Sequence, residues 1–237
     1  MNSFTNIELS SATLDRYYIR SSIFSSIRRE TPKLFGRFLD VGCGKMPYRD
    51  YIRKNSSITE YVGLDIDGAI EYSKEVQPDC TWDGTTMPFG EDEFDCVMAT
   101  EVLEHCPDPS AVLSEIFRVL KPDGRIFFTV PFLWPLHETP YDMYRYTPWS
   151  LNNLLMGAGF SQISVRALGG WNASMAQMLG LWIRRSGMSD RKREWLSVLM
   201  KPVVAYLISR DTVPTEFSDN TMVTGFSGSA IKLGSRE

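Results

Sequence analysis

The sequence predicts an α/β protein built on a doubly wound parallel sheet, and three observations predict it. Short apolar runs ending in acids or glycines recur between Arg37 and Val130, helix-like patterns separate them, and the first run closes on two glycines one residue apart, Gly42 and Gly44. Strand and helix signals in alternation belong to a parallel sheet covered by helices on both faces. Right-handed crossovers then favour winding in both directions.

Taken in order, Leu14, Tyr17, Tyr18, Ile23, Phe24 and Ile27 trace an irregular helical face from Ser10 to Glu30, which Thr31-Pro32 ends. Such a helix either leads over a ligand mouth or packs plainly on the sheet. Arg37 to Val41 reads as the first strand, followed by the glycine turn and a helix around Tyr48 to Lys54. Tyr61 to Asp67 reads as a second strand ending in acids, with a short helix from about Gly68 to Val76. A third short strand at Cys80 to Trp82 runs into Asp83-Gly84, and Glu91 to Glu93 reads as a solvated acidic loop. Phe94 to Thr100 is the fourth strand. Pro109 to Leu120 follows as a helix with Val112, Leu113, Ile116, Val119 and Leu120 on one side. Lys121-Pro122-Asp123-Gly124 is a turn signal ahead of a fifth strand, Arg125 to Val130.

A further helix opens at Thr147-Pro148-Trp149-Ser150 and closes at Gly157-Ala158-Gly159, and Phe160 to Leu168 and Thr224 to Leu233 read as two more strands. Between them, Gly169 to Met222 is far longer than a hairpin needs and carries helical pattern through Met175, Met178, Trp182, Trp195, Leu199 and Tyr206. It reads as a helical insertion. The expectation is therefore one domain over 1–237: an N-terminal helical segment (1–36), a ligand-binding core (37–168), the insertion (169–222) and a last strand with its tail (223–237).

Composition narrows the partners. The 237 residues are 43% apolar and 23% charged, ordinary for a globular chain. A formal net charge of -4 gives no broad attraction to phosphate polymers, so nucleic acid is not expected. Cys43, Cys80, Cys96 and Cys106 show no CxxC pair and read as buried reduced thiols, with no metal expected. No secretory signal and no spanning segment is visible, which makes the cytoplasm the default location.

The glycine turn is the signature of a nucleotide site at a strand end. A dinucleotide fingerprint needs a small third residue where this chain has Pro47, which argues against a pyrophosphate and leaves room for a compact ligand. Asp40 lies at the turn. Asp65, at the end of the second strand, has the chemistry to accept hydrogen bonds from two ribose hydroxyls of either kind of cofactor.

Six segments in register resemble the class I S-adenosylmethionine-dependent methyltransferases, in particular the type 11-like subgroup. They are Leu39-Asp40-Val41-Gly42-Cys43-Gly44, Gly63-Leu64-Asp65, Asp83-Gly84 before Met87-Pro88-Phe89, Phe94-Asp95-Cys96-Val97, Glu101-Val102-Leu103-Glu104-His105 and Leu120-Lys121-Pro122-Asp123-Gly124. The resemblance implies a Rossmann-like seven-stranded sheet with an antiparallel last strand, S-adenosyl-L-methionine as cofactor, and an enzyme. It implies a donor site of Asp40, Gly42, Gly44, Asp65, Ile66, Asp83, Gly84, Thr100, Glu101 and His105. The departure is Met46, where many members carry a third glycine. Bland alternatives stand beside these roles. Asp40 and Asp65 serve equally as caps, Asp83 as a plain turn residue, Glu101 and Glu104 as surface acids, and His105 as a brace.

Methyl transfer is displacement at a sulfonium methyl group, so the protein mainly aligns donor and acceptor, and a base is needed only where the acceptor must lose a proton. The stretch Pro131 to Tyr146, through H-x-x-P-x-D-x-x-R-Y from His137 on, resembles a pattern of bacterial members linked to surface polysaccharide. It suggests His137 as the base or an acceptor ligand, with Tyr144 and Arg145 lining the site. The expected acceptor is a small molecule or a saccharide, with oxygen slightly favoured over nitrogen. A nicotinamide-dependent oxidoreductase and a noncatalytic S-adenosylmethionine-binding protein remain as alternatives. The tryptophans, methionines and Arg184-Arg185 of the insertion suggest a lid, a dimer surface or peripheral membrane contact, with core packing as the plain alternative. The oligomeric state is open.

Overall fold

A computed structural model describes residues 4–68 and 76–234. The expected helix from Gly68 to Val76 lies almost wholly outside those residues. The described elements are β1 (Phe35–Val41), β2 (Ser57–Ile66), β3 (Cys80–Trp82), β4 (Phe94–Thr100), β5 (Leu120–Pro131), β6 (Ser161–Leu168) and β7 (Gly225–Ile231). With them go α1 (Tyr17–Glu30), α2 (Arg49–Asn55), α3 (Pro109–Val119), α4 (Pro148–Gly157), α5 (Trp171–Arg185) and α6 (Asp190–Ser209).

The seven strands form one sheet in the order β3-β2-β1-β4-β5-β7-β6. β1 pairs in parallel with β2 and β4, β2 with β3, and β4 with β5. β7 runs the other way. Near the start of β5 the Asp123 amide donates to the Lys232 carbonyl and the Lys232 amide to the Gly124 carbonyl, whereas past its end the Phe132 amide donates to the Thr224 carbonyl. This is the mostly parallel seven-stranded sheet, with its last strand reversed, that the sequence leads one to expect.

Three strands begin earlier than the apolar runs suggest, β1 by two residues at Phe35. β2 starts at Ser57 because that residue pairs with Phe35 of β1, so backbone pairing extends the strand beyond its apolar part. β5 starts at Leu120, and the predicted turn at Lys121 to Gly124 sits inside it. Phe94 pairs with Leu120 and Cys96 with Arg125, so the extra residues bulge, with Asp123 in the left-handed region at φ 63°.

Two compact units make up the chain. The larger comprises Arg28–Pro131, Leu136–Val165 and Ser227–Glu237. Its core is Phe38, Leu39 and Val41 of β1, Leu64 of β2, Cys96, Val97 and Ala99 of β4 and Ile126, Phe128 and Val130 of β5, all buried. Strands apolar on both faces are what a sheet covered on both sides requires. α3 buries Val112, Leu113, Ile116 and Val119, as its apolar spacing dictates. Asp108 caps it by accepting from the amides of Ser110 and Ala111, with Pro109 at its first turn.

The smaller unit comprises Met1–Ile27, Phe132–Pro135 and Arg166–Phe226. Leu14, Ala176, Ile183 and Val204 form its buried cluster, with Leu179, Leu196, Met200, Leu207 and Ile208 packed around it. The segment before α1 crosses α5 so closely at Gly180 that a Cβ there would lie 2.2 Å from the Leu14 carbonyl oxygen. Gln177, buried on the same helix, donates to the Asp15 carbonyl at 2.6 Å, and Arg185 pairs with the Asp15 carboxylate at 3.0 Å. The expected helical segment from Gly169 to Met222 is thus α5 and α6, packed with the N-terminal residues of the same unit.

Candidate functional site

The turn after β1 is shaped by its glycines. Gly42 and Gly44 both have positive φ, 63° and 50°, which side chains disfavour. A Cβ on Gly44 would meet nothing within 4 Å, so this turn presents open space and bare backbone. A Cβ on Gly42 would instead strike Val102 at 2.5 Å. Gly42 is therefore fixed by packing and Gly44 by exposure.

Asp65 faces the same turn from the end of β2. One carboxylate oxygen accepts from the Gly44 amide at 3.0 Å and the other from the Ile66 amide at 2.8 Å. These bonds fix the carboxylate between the ends of two adjacent strands. The cap role is thus real, and it orients the group. Ile66 is exposed by 41%. Its Cδ1 lies 3.6 Å from where a Cβ on Gly84 would stand, and Gly84 has φ 83°. An apolar side chain beside a glycine makes a flat wall suited to an aromatic ring.

Asp83 is exposed, and its Oδ1 accepts from the amides of Thr85 and Thr86, which hold its carboxyl below the usual range. The plain turn role is therefore filled. Asp40 is buried. Tyr61 donates to its Oδ2, whereas Oδ1 has no hydrogen-bond partner among the described residues, and burial pushes its pKa up to about 7 despite the Tyr61 bond. Met46 answers the missing glycine. It takes a glycine-like φ of 48° and turns its buried side chain inward, with Sδ 2.9 Å from the point where a Cβ on Gly63 would sit.

The end of β4 carries the second group. Thr100 is paired in register with Thr129 of β5. Glu101 follows at φ 55°; its amide donates to the Thr129 carbonyl at 3.0 Å and its Oε1 accepts from the Thr129 hydroxyl at 2.8 Å. Glu104 is fully buried, and neither carboxylate oxygen has a hydrogen-bond partner among the described residues. That excludes a surface role for Glu104. Burial raises the pKa of both acids, and the charge of Glu101 raises Glu104 further. His105 Nε2 lies 3.7 Å from Glu104 and 3.8 Å from Glu138. Burial lowers its pKa, with Glu138 opposing.

Within the larger unit, residues after Leu136 fold onto this group. The His105 and His137 rings meet edge to face, 4.7 Å between centroids. Asp142 accepts from the His137 amide at 3.1 Å and contacts its Nδ1 at 3.0 Å. Arg145 in turn grips both oxygens of Asp142 at 2.6 and 2.8 Å and holds that carboxyl well below its usual pKa. An ionised Asp142 beside Nδ1 favours the tautomer that carries its proton there, with Nε2 as the acceptor. Tyr144 spends its hydroxyl on the Pro107 carbonyl at 3.1 Å, and the buried Tyr146 donates to the Leu103 carbonyl at 2.6 Å. The expected substrate-lining pair, Tyr144 and Arg145, is thus engaged in holding the loop, though Tyr144 keeps an exposed ring.

Sequence reasoning missed Asp142 and Glu104. The i, i+3 spacing of Asp142 and Arg145 was a usable signal for the first. Nothing local marks Glu104 as buried. Glu104, His105 and His137 each offer one ligand atom, all within 4.8 Å of one another, so these three are the described residues that a metal ion would use.

Comparison with known proteins bears on the family and the fold. Residues 39–128 match the family described as "Methyltransferase domain". A ubiquinone biosynthesis O-methyltransferase of Idiomarina loihiensis is 31% identical over 113 residues, covering 44% of this chain and 46% of the relative. The chain therefore spans about half the length of that curated relative. A S-adenosylmethionine-dependent methyltransferase from Archaeoglobus fulgidus superposes with a TM-score of 0.57 at 18% identity, covering 91% of this chain and 96% of the other. Haemonchus contortus phosphoethanolamine N-methyltransferase 2, solved with S-adenosyl-L-methionine, gives 0.56 at 17% identity over 90% of this chain and 52% of the other. Residues 39–128, less than half of the chain, match that family, and the fold around them is shared with these two methyltransferases.

Proposed function

We propose that the chain is an S-adenosylmethionine-dependent methyltransferase acting at oxygen on a small-molecule or saccharide acceptor. The observation that carries this reading is the Asp65 carboxylate, fixed by the Gly44 and Ile66 amides beside an open glycine turn. The residues fit the donor: Gly42 and Gly44 offer backbone to its methionine part, Asp65 accepts its ribose hydroxyls, and Ile66 with Gly84 flanks its adenine. Asp40, Asp83, Thr100, Glu101 and His105 complete the proposed wall. When bound, the sulfonium supplies the methyl group and leaves as a neutral thioether.

His137 is the proposed base. As the acceptor oxygen forms its bond to the methyl carbon, Nε2 takes the hydroxyl proton and the imidazolium is stabilised by Asp142. Arg145 keeps Asp142 ionised and in place, which makes both positioning residues. Relatives named as O-methyltransferases support oxygen as the acceptor atom. Calorimetric titration tests the donor half: micromolar binding of S-adenosylmethionine and its demethylated product, with no response to NAD, is expected. Tight NAD binding alone would sink the reading. Labelled methyl transfer to a panel of phenols and nucleotide sugars tests the other half, and also separates an enzyme from a noncatalytic binder.

A second reading rests on the buried carboxylate of Glu104, which has no hydrogen bond among the described residues. With His105 and His137 it offers an oxygen and two nitrogens, a donor set suited to a divalent transition metal. Metal analysis of the purified chain decides: one equivalent retained, with transfer lost on chelation, favours a metal-bound acceptor over a free base.

A further inference from the structure

α6 is apolar on two sides. One side packs in the smaller unit through Leu196, Ser197, Met200, Val204 and Leu207. On the other, Trp195, Val198, Leu199, Val203 and Tyr206 stand exposed by 41 to 63%. Their spacing of three, four, eight and eleven residues from Trp195 puts them in one stripe along the helix, and the exposed Pro202 falls within it. Single exposed apolar side chains are ordinary; a continuous stripe of them over three turns marks a surface that meets something.

Charge selects what it meets. Positions 190 to 210 hold five basic and two acidic residues, in a chain whose formal charge is -4. Both acids are taken by arginines: Asp190 pairs with Arg193, and Glu194 with Arg184 at 3.3 Å. Arg191 and Lys192 lie at one end of the stripe, exposed and without an ion pair among the described residues. Arg210 lies at the other end, 5.9 Å over the Tyr206 ring. A second copy of the same helix would meet this stripe with like charges whether aligned in parallel or reversed, because both ends are basic. An apolar stripe with aromatic residues along it and cations at both ends matches the boundary of an anionic bilayer, where tryptophan and tyrosine are favoured and lysine and arginine meet acidic headgroups.

We propose that α6 docks the protein in the plane of an anionic membrane through Trp195, Val198, Leu199, Val203 and Tyr206, with Arg191, Lys192 and Arg210 on the headgroups. No helix among the described residues is long and apolar enough to cross a membrane, so the contact is in-plane. The proposal stands independently of the donor site, since α6 lies in the smaller unit and the glycine turn in the larger.

Vesicle flotation of the full chain tests it. The protein floats with phosphatidylcholine vesicles containing phosphatidylglycerol and stays behind with pure phosphatidylcholine, and raised salt weakens the binding. Leu199→Glu lowers the bound fraction at least tenfold, and the pair Arg191→Glu with Lys192→Glu does the same, each with an unchanged circular dichroism spectrum and thermal midpoint. Trp149→Ser, on an exposed aromatic of the larger unit, leaves flotation unchanged. The proposal is overturned if anionic vesicles fail to carry the wild type, or if Leu199→Glu floats as well as the wild type. It is equally overturned if the wild type sediments as a dimer that Leu199→Glu converts to monomer with no effect on flotation.

Discussion

Asp40 is the residue where chemistry and stability meet most directly. Its folded pKa of about 7 stands above the ordinary carboxyl value because burial penalises the charge more than Tyr61 relieves it. The sign follows. Below the unfolded pKa, about 3.9, both states hold the proton. As the pH rises towards 7 the unfolded state releases its proton and the folded state does not, so stability falls, and above about 7 the penalty is constant. Asp40→Asn should therefore flatten this fall, leaving stability near pH 4 unchanged and raising it near pH 8 by a few kcal/mol; urea unfolding of the ligand-free protein at several pH values checks this. A variant as pH-sensitive as the wild type would mean that Asp40 is not the group that titrates. Met46 sets a second balance. Relief of its left-handed backbone by glycine is worth about 1 kcal/mol. Its buried side chain contributes roughly 2 to 3 kcal/mol, so Met46→Gly should lower stability by about 1 to 2 kcal/mol, and denaturant midpoints would show it. At His137 the proposed chemistry predicts that Asp142→Asn lowers turnover on the true acceptor by about 10²-fold or more while donor affinity stays unchanged. A drop in both together would assign Asp142 to the fold alone.

At the scale of elements, the ends of helices decide more than their middles. α5 has no cap of its own, because Gly170 offers no side chain and has no space for one: a Cβ there would lie 2.2 Å from the Thr212 carbonyl oxygen. Asp211 supplies the cap from beyond the end of α6, accepting from the Gly170 amide at 2.9 Å and the Ala173 amide at 2.8 Å. Asp211→Ala should cost about 1 to 2 kcal/mol, read as earlier unfolding of the smaller unit by hydrogen exchange on α5. Uniform loss of protection across both units would contradict a local cap. This contact also marks where sequence reading stops. β1, β4 and the helix α3 were legible because short apolar runs and a 3.6-residue period depend only on neighbours. The glycine turn, Asp65 and the grouping of His137 with Arg145 were legible for the same reason. A cap forty residues away, the burial of Glu104, and the use of Arg145 to hold Asp142 depend on where other segments come to rest. The bulge in β5 shows the boundary well: Asp123-Gly124 has the composition of a turn and takes a turn-like φ, yet pairing with Lys232 keeps it within a strand.

For the molecule as a whole, the strand order is what puts the proposed donor residues together. β1 has β2 and β3 on one side and β4, β5, β7 and β6 on the other, so successive crossovers depart in opposite directions between β1 and β4. A crevice opens at the carboxyl ends of the strands at such a point. Gly42 and Gly44 follow the end of β1, Asp65 closes β2, and Thr100 and Glu101 end β4, so the proposed donor residues come from three adjacent strands that the sheet holds in register. A ligand spanning them binds only the folded sheet and must therefore stabilise it. At about a hundredfold excess over its dissociation constant, the demethylated donor should add roughly 2.7 kcal/mol, a rise of a few degrees in the thermal midpoint. Asp65→Ala should abolish that rise, because it removes the carboxylate held between Gly44 and Ile66. It should also lower the unliganded midpoint, since those two amides lose their acceptor. Asp65→Asn separates the two effects. Its oxygen keeps one amide bond, so the unliganded protein stays nearer the wild type, while the loss of charge and of one acceptor weakens ligand binding at least tenfold. If Asp65→Asn keeps the full ligand-induced shift, the ribose contact lies elsewhere and the donor site has been assigned to the wrong strand end.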